Sequence, residues 1–224
     1  EDSFQYQQPG AIIPLPEIPP ELIIDKTDIQ LNERIGKGSF GEVWRALYGS
    51  EVVAVKLFLT EGQNIAPEIN LMASVRHREH VLELLGVVVE QDDPYKEPQV
   101  ALVMKYMVNG SVYDVLQDRD HPSFQASVSP LMLCQFCLQA GKGVHSLHRL
   151  SIIHRDLACR NLLVDDKMDV YVSDFGFARQ KRAHTNSSSR DFTNERVGPV
   201  RWEAPESLLR KEYSEMTDMF SFGT

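Results

Sequence analysis

The sequence predicts an α+β chain in two parts, a five-stranded sheet carrying one helix and then a mainly helical region. Three observations carry that reading. Short β-like runs separated by glycine turns fill residues 28–103, and helical periodicity takes over after Lys105. No stretch of the 224 residues is apolar for long enough to cross a bilayer as a helix. That length allows one large domain or two small lobes, with ample apolar content for a core.

The elements follow in order. Residues 1–27 contain Pro9, Pro14, Pro16, Pro19 and Pro20 between short apolar pairs, which excludes a continuous helix or a central strand and reads as an extended linker. The run at 9–20 has the composition that a proline-reading module binds; the plainer reading is a segment laid along the domain surface. Residues 31–36, 42–47 and 52–59 are β-like, with tight turns at the glycines and at Gly49-Ser50. Residues 67–75 carry Ile69, Met72 and Val75 at helical spacing, with Glu68 near the start. Runs at 84–90 and 100–105 complete the sheet.

Beyond the hinge, Ser111 and Asp114 make a capping box for a short helix. Ser129-Pro130 opens a long one whose shared face is Leu133, Phe136, Cys137, Ala140, Val144 and Leu147. Residues 217–224 read as a helix entered at a Thr cap and then cut off; with Glu1 in first place, both ends read as truncations.

Charge and cysteines narrow the function classes. A net charge of −9 argues against a polyanion-binding surface, so no nucleic acid is expected as partner. Three cysteines form no disulfide framework, which makes a reducing, cytoplasmic setting the default, with no membrane contact by this segment; a membrane span before residue 1 stays open. Cys134 and Cys137 have C-x-x-C spacing inside an amphipathic helix and are expected on its buried face, not in a redox or zinc pair. His145, His148 and His154 likewise read as structural.

The chemistry concentrates in a few short motifs. His154-Arg155-Asp156-Leu157-Ala158-Cys159-Arg160-Asn161 sets an acid five residues before an amide, so that Asp156 can accept a proton beside a metal-binding Asn161 oxygen. Asp174-Phe175-Gly176, thirteen residues beyond Asn161, adds a second metal-binding carboxylate. Gly36-Lys37-Gly38-Ser39-Phe40-Gly41-Glu42-Val43 lets backbone N–H groups approach phosphate oxygens. A dinucleotide fold would need a helix straight after these glycines, whereas residues 42–47 read as a strand. Val53-Ala54-Val55-Lys56 ends that apolar strand region in a lysine, with Glu68 on the next helix.

In this order the motifs resemble a eukaryotic protein kinase domain of the tyrosine kinase or tyrosine-kinase-like group, over about residues 28–224, and Ala204-Pro205-Glu206 adds to the match. The resemblance implies a two-lobed kinase fold. It has an antiparallel N-lobe (28–104) with one helix and a helical, incomplete C-lobe (105–224) after a linker at 1–27. It implies ATP and magnesium ions as cofactors and a protein substrate. Lys56 would bind the phosphates and pair with Glu68, Asp156 would take the hydroxyl proton beside Arg160, and Asn161 and Asp174 would hold the metal. The loop from Gly36 through Lys37, Gly38, Ser39 and Phe40 to Gly41 would cover the phosphates. Adenine would lie between Val43 and Ala54 above and Leu163 below, against hinge residues Lys105, Tyr106 and Met107, with Met104 as gatekeeper. Met72, His154 and Phe175 would join the stack of side chains that forms with the active geometry, and Asp218 would brace the catalytic loop.

Which hydroxyl is acted on has signals both ways. Arg160 just before Asn161, and Pro199-Val200-Arg201-Trp202, resemble tyrosine kinases. Residues 177–203 contain no tyrosine; their hydroxyls are Thr185, Ser187, Ser188, Ser189 and Thr193. A phosphate on Thr193 or on Ser187–Ser189 would be placed to pair with Arg155, the equal alternative being a serine cluster that is merely a flexible loop. Tyrosine is the favoured reading, serine/threonine or dual specificity the alternative, and a pseudokinase scaffold or a small-molecule kinase the remaining ones.

Lys105, where the family commonly has glutamate, Arg78-Glu79-His80, Glu203 and the short stretch between Lys56 and Glu68 depart from the pattern without removing a reactive group. The expected truncation bears on stability. A buried Glu206 without a counter-charge would cost ~3–5 kcal/mol of a domain's ~5–15 kcal/mol. The 224-residue piece alone is therefore expected to aggregate and to be inactive; a sharp cooperative thermal transition in soluble material would contradict this.

Overall fold

The computed structural model describes residues 18–38, 41–58, 65–90, 99–117, 129–180 and 200–224. The expected binding run at 9–20 is therefore described only from residue 18, while Ser39, Phe40 and the hydroxyls at 185–193 lie outside the described residues.

Five antiparallel strands form the first lobe. They are β1 (Ile29–Gly38), β2 (Gly41–Tyr48), β3 (Glu51–Leu57), β4 (Leu84–Glu90) and β5 (Gln99–Lys105), in the order β1-β2-β3-β5-β4. The antiparallel sheet and the α+β class are as expected. Between β3 and β4 the chain forms α1 (Ala66–Ser74), with Pro67 in its first turn, where the missing N–H is no loss. Its buried side chains are Glu68, Ile69, Leu71 and Met72. Three of these are apolar and enter a cluster with Leu84, Val87 and Leu102 of the sheet. Glu68 is the exception on that face.

The second lobe holds α2 (Val112–Gln117), α3 (Pro130–His148), β6 (Ile152–Ile153), β7 (Leu162–Val164), β8 (Val170–Val172), β9 (Arg179–Gln180), α4 (Pro205–Arg210) and α5 (Glu215–Phe222). β7 pairs with β8 and β6 with β9. Ahead of α2, Asp114 Oδ2 accepts the Ser111 N–H at 2.9 Å and Ser111 Oγ accepts the Asp114 N–H at 3.1 Å, the expected reciprocal cap. Ser129 Oγ accepts from Met132 N at 3.2 Å and starts α3.

Three expectations need correction. The α3 contact face is Phe136, Ala140, Gly143, Val144 and Leu147, whereas Leu133, Cys134 and Cys137 are exposed. The reason is Gly143. A Cβ there would lie 2.3 Å from the His80 carbonyl oxygen and 2.7 Å from Val172 Cγ2, so the helix turns its glycine side toward the first lobe. The α5 cap is Ser214, not Thr217. Ser214 Oγ accepts from Thr217 N at 3.4 Å, and the Thr217 hydroxyl accepts the Ser214 N–H at 3.0 Å, so Thr217 is the third helical residue of a capping box. Glu206 is half-buried, and the buried carboxylate nearby is Glu203.

The loop after α1 joins the lobes. His80 Nδ1 bonds the Val170 carbonyl at 2.8 Å, Val172 N donates to His80 O at 2.9 Å, and Leu82 N donates to Val172 O at 2.9 Å. Lys142 pairs with Glu79 at 2.8 Å on the surface above. A second tie runs from the hinge: Lys105 Nζ meets Asp165 Oδ2 at 2.9 Å and lies 4.8 Å from the centre of the Tyr171 ring. Asp165 also accepts N–H bonds from Lys167 and Asp169, each at 3.0 Å. Burial opposes its charge, but the Lys105 ammonium and the Asp169 and Lys167 N–H groups outweigh burial and hold the carboxyl below its ordinary value near 3.8. No helix among the described residues is long and apolar enough to cross a membrane.

Gly143→Ala is expected to destabilise the domain by ~1–3 kcal/mol through overpacking against the His80 backbone, measured by urea unfolding. Because the folded-state value of Asp165 is depressed, its charge stabilises the fold above the unfolded value and that contribution is lost as pH falls through the folded one. Asp165→Asn should therefore differ most from wild type near neutrality, and the difference in unfolding free energy should shrink as pH drops below about 4.

Candidate active site

The cleft between the lobes is built from the ends of these elements. Lys56 sits near the end of β3, opposite Val43 on β2 and Leu102 on β5. Its Nζ lies 2.6 Å from Glu68 Oε1 of α1 and 3.6 Å from Asp174 Oδ1. Burial pulls the ammonium down, but Glu68 and Asp174 outweigh it and hold Lys56 above the ordinary lysine value. Burial pushes the Glu68 carboxyl up against the pull of Lys56. The result is a fixed positive charge at the back of the cleft.

Asp174 follows β8 with φ of 60°, a left-handed conformation that L-residues adopt at a cost of ~1–3 kcal/mol. The turn swings its carboxylate out of the strand direction toward Lys56. Asp174 Oδ1 is buried and accepts no hydrogen bond from the described residues.

The segment after β6 is held from below. Asp218 on α5 is 1% exposed; its Oδ2 accepts the His154 N–H at 2.8 Å and its Oδ1 the Arg155 N–H at 2.9 Å, while His148 Nε2 reaches Oδ2 at 2.9 Å. Arg155 has φ of 68°, and the two backbone bonds to Asp218 fix that turn. The loop then delivers Asp156, 8% exposed. Asn161 Nδ2 donates to Asp156 O at 2.7 Å and to Asp156 Oδ2 at 2.8 Å, and Arg160 donates to Oδ1. With its nitrogen committed to Asp156, the Asn161 amide oxygen is left as an acceptor. The Arg160 guanidinium also lies 5.0 Å from the centre of the Trp202 ring.

Ser173 couples the two acidic segments. Its N and Oγ both donate to Asn161 O at 2.9 Å, and its own carbonyl meets His154 Nε2 at 2.9 Å. His154 stands edge-on to Phe175 with ring centres 5.6 Å apart. Phe175, Met72 and Leu84 are at most 2% exposed and share one cluster, so packed side chains run from the sheet through α1 to the loop and Asp218.

A cavity of about 240 Å³ brings together Gly38, Gly41, Val43, Lys56, Glu68, Met104, Arg160, Asn161 and Asp174 among the expected site residues, with Met72 and Phe175 of the expected stack. Two further lining residues, Leu82 and Ser173, were not singled out from the sequence; Ser173 was legible only by its adjacency to Asp174. Asp156 lies one hydrogen bond behind the cavity wall, through Asn161 and Arg160. Ala54 is buried opposite Met104, and Met107 is buried in the hinge. Leu163 is half-buried on β7 and bridges Ser111. Ala54, Met107 and Leu163 are off the cavity lining, as are Lys37, exposed and 3.7 Å from Glu42, Lys105, whose side chain turns to Asp165, Tyr106, which lies under Arg45 at 5.8 Å, and Gly36 within β1. Arg155, expected to meet a phosphate, donates through Nε to Phe177 O at 2.7 Å and sits 5.1 Å from the centre of the Tyr213 ring.

Comparison with known proteins agrees with this architecture. Tyrosine-protein kinase csk-1 of Caenorhabditis elegans is 32% identical over 206 residues, covering 90% of this chain and 35% of that protein. Serine/threonine-protein kinase STY17 of Arabidopsis thaliana is 32% identical, covering 89% of this chain and 33% of that one. Fer-related kinase 1 of Caenorhabditis elegans is 33% identical, covering 96% and 52%. The chain thus spans about a third to a half of the length of these relatives. The family model described as protein tyrosine and serine/threonine kinase matches residues 29–224, and the chain belongs to that family.

Proposed function

We propose that this chain, as the kinase domain at residues 28–224, transfers the γ-phosphoryl group of ATP to tyrosine hydroxyls of a protein substrate. The observation that carries the transfer is the convergence of Lys56, Glu68, Asp174, Asn161 and, behind them, Asp156 on one cleft. Lys56, fixed as a cation by Glu68, holds the α- and β-phosphates; Gly38 and Gly41 let backbone approach them. Asp156, both of whose carboxylate oxygens are already oriented, accepts the proton of the incoming hydroxyl.

The donor set fits a hard cation. Asp174 Oδ1, 3.6 Å from Lys56 Nζ, is a buried carboxylate oxygen without a hydrogen bond from the described residues, and Asn161 lines the same cavity. Asn161 and Asp174 would leave the remaining positions to phosphate oxygens and water, as magnesium ions take them. Asn161 and Asp174 would hold magnesium there, which would neutralise charge on the transferred group. Val43, Ala54 and Leu163 would hold adenine beside the hinge backbone at Lys105, Tyr106 and Met107, and Met104 would narrow the rear.

Tyrosine is favoured by Arg160, which lies between Asp156 and the face of Trp202, beside the proposed proton acceptor. The similarity to STY17, a serine/threonine kinase by name, favours the second reading, transfer to serine or threonine.

The test is phosphoamino acid analysis of a mixed peptide library treated with the full-length protein, labelled ATP and magnesium. Phosphotyrosine, reduced about 100-fold or more in Asp156→Asn, is the expected result. Phosphoserine or phosphothreonine alone would move the assignment to the second reading, and no transfer by folded protein would overturn the enzyme.

A further inference from the structure

The segment ahead of β1 reads from the sequence as linker, yet it is built into the lobe. Leu22 is 3% exposed and Ile24 7%. A 3-10 turn at Pro20–Leu22 delivers Leu22 into the same buried cluster as Ile69, Met72 and Val75 of α1 and its C-cap, and Val87 of β4. Ile24 N donates to Val87 O at 2.9 Å, and Ile23 forms a parallel bridge with Val87. The Ile24 side chain enters a different cluster, with Val88, Ala101 and Val103. The segment therefore clasps the β4 edge of the sheet, with one apolar side chain in the core on each face.

Gly86 shows that β4 is shaped to receive it. A Cβ at that position would lie 2.4 Å from Ile24 Cδ1 and 2.7 Å from the Leu22 carbonyl oxygen. The β4–β5 register shifts between Leu84 and Gly86 at the same place. Lys26 pairs with Glu90 at the far end of β4, and Asp25 Oδ1 accepts from Thr27 N at 2.9 Å to turn the chain into β1.

Cover for a sheet edge would be served by backbone pairing alone. Leu22 goes further, because it shares one buried cluster with Ile69, Leu71 and Met72 of the helix that carries Glu68. We propose that residues 18–28 are a positioning strap: clasped on β4, they hold α1 where Glu68 meets Lys56. Release of the strap slows phosphoryl transfer without touching any group in the cleft. Leu22 and Ile24 are its positioning residues. The transfer half of this inference rests on the function proposed above; the coupling of strap to helix does not.

The experiment has two arms on the full-length protein. Native-state hydrogen exchange on the unaltered protein, in rising sub-denaturing urea, reads whether residues 18–28 and 66–74 open as one unit. Common opening is expected; α1 remaining protected while 18–28 exchanges would overturn the strap, whatever the activity. Kinetics then compare Leu22→Ala, Gly86→Ala and Leu22→Met. The first two are expected to lower kcat/KM for ATP at least about five-fold with faster exchange at 66–74, and Leu22→Met to stay within about two-fold. Folded variants with unchanged kcat/KM and a merely lower Tm would reduce the segment to edge cover and overturn the proposal. Absence of transfer in the unaltered protein would instead strike the kinase reading, and the exchange arm would still decide the strap.

Discussion

The interaction on which the rest depends is the ion pair between Lys56 and Glu68, 2.6 Å apart with both side chains nearly buried. Withdrawing two charges from water costs several kcal/mol per ion, and their attraction compensates only when the geometry is held. Neither residue holds it alone. The register of β3 against β2 and β5 fixes Lys56, and the packing of Ile69, Leu71 and Met72 fixes the helix that carries Glu68. Asp174 supplies the second carboxylate that keeps Lys56 charged. The pair is thus a point where sheet, helix and the loop after β8 must all be in place together.

Asp218 plays the same part for the other lobe. A single buried carboxylate satisfies two consecutive backbone N–H groups and His148, and so fixes the left-handed turn at Arg155. Buried N–H groups without an acceptor would each cost ~1–3 kcal/mol. From that anchor His154 reaches Ser173 and Phe175, and Phe175 shares a cluster with Met72 and Leu84. The two acidic segments, Asp156 to Asn161 and Asp174, are therefore set by a buried column, not by their own loops.

Much of this was legible in the sequence, because local chemistry determines it. Apolar runs between glycine turns marked each of the five strands of the first sheet to within a few residues, though not β6, β8 or β9. Ser129-Pro130 marked the start of α3, and the spaced acids and amide marked the cleft. What escaped depends on distant partners. Leu133 and Cys137 fit the periodicity of α3, but the close approach of Gly143 to His80 rotates them to the surface. Lys105 looked like a departure of little consequence, yet its side chain ties the hinge to Asp165, sixty residues away in sequence. Thr217 is as good a cap by composition as Ser214, and only the backbone separates them. Leu22 and Ile24 sit in a proline-rich stretch without periodicity; only Gly86, itself unremarkable in sequence, reveals that they are received by β4.

The most direct test of the account is a double-mutant cycle on Lys56 and Glu68 in the full-length protein. Lys56→Met, Glu68→Gln and the double variant would be compared with the unaltered protein for magnesium-ATP binding by titration calorimetry. If the buried pair acts as one unit, either single substitution should weaken binding nearly as much as both together, a coupling of about ten-fold or more. Losses that simply add would contradict the account, because Lys56 would then bind phosphate without needing α1 in place.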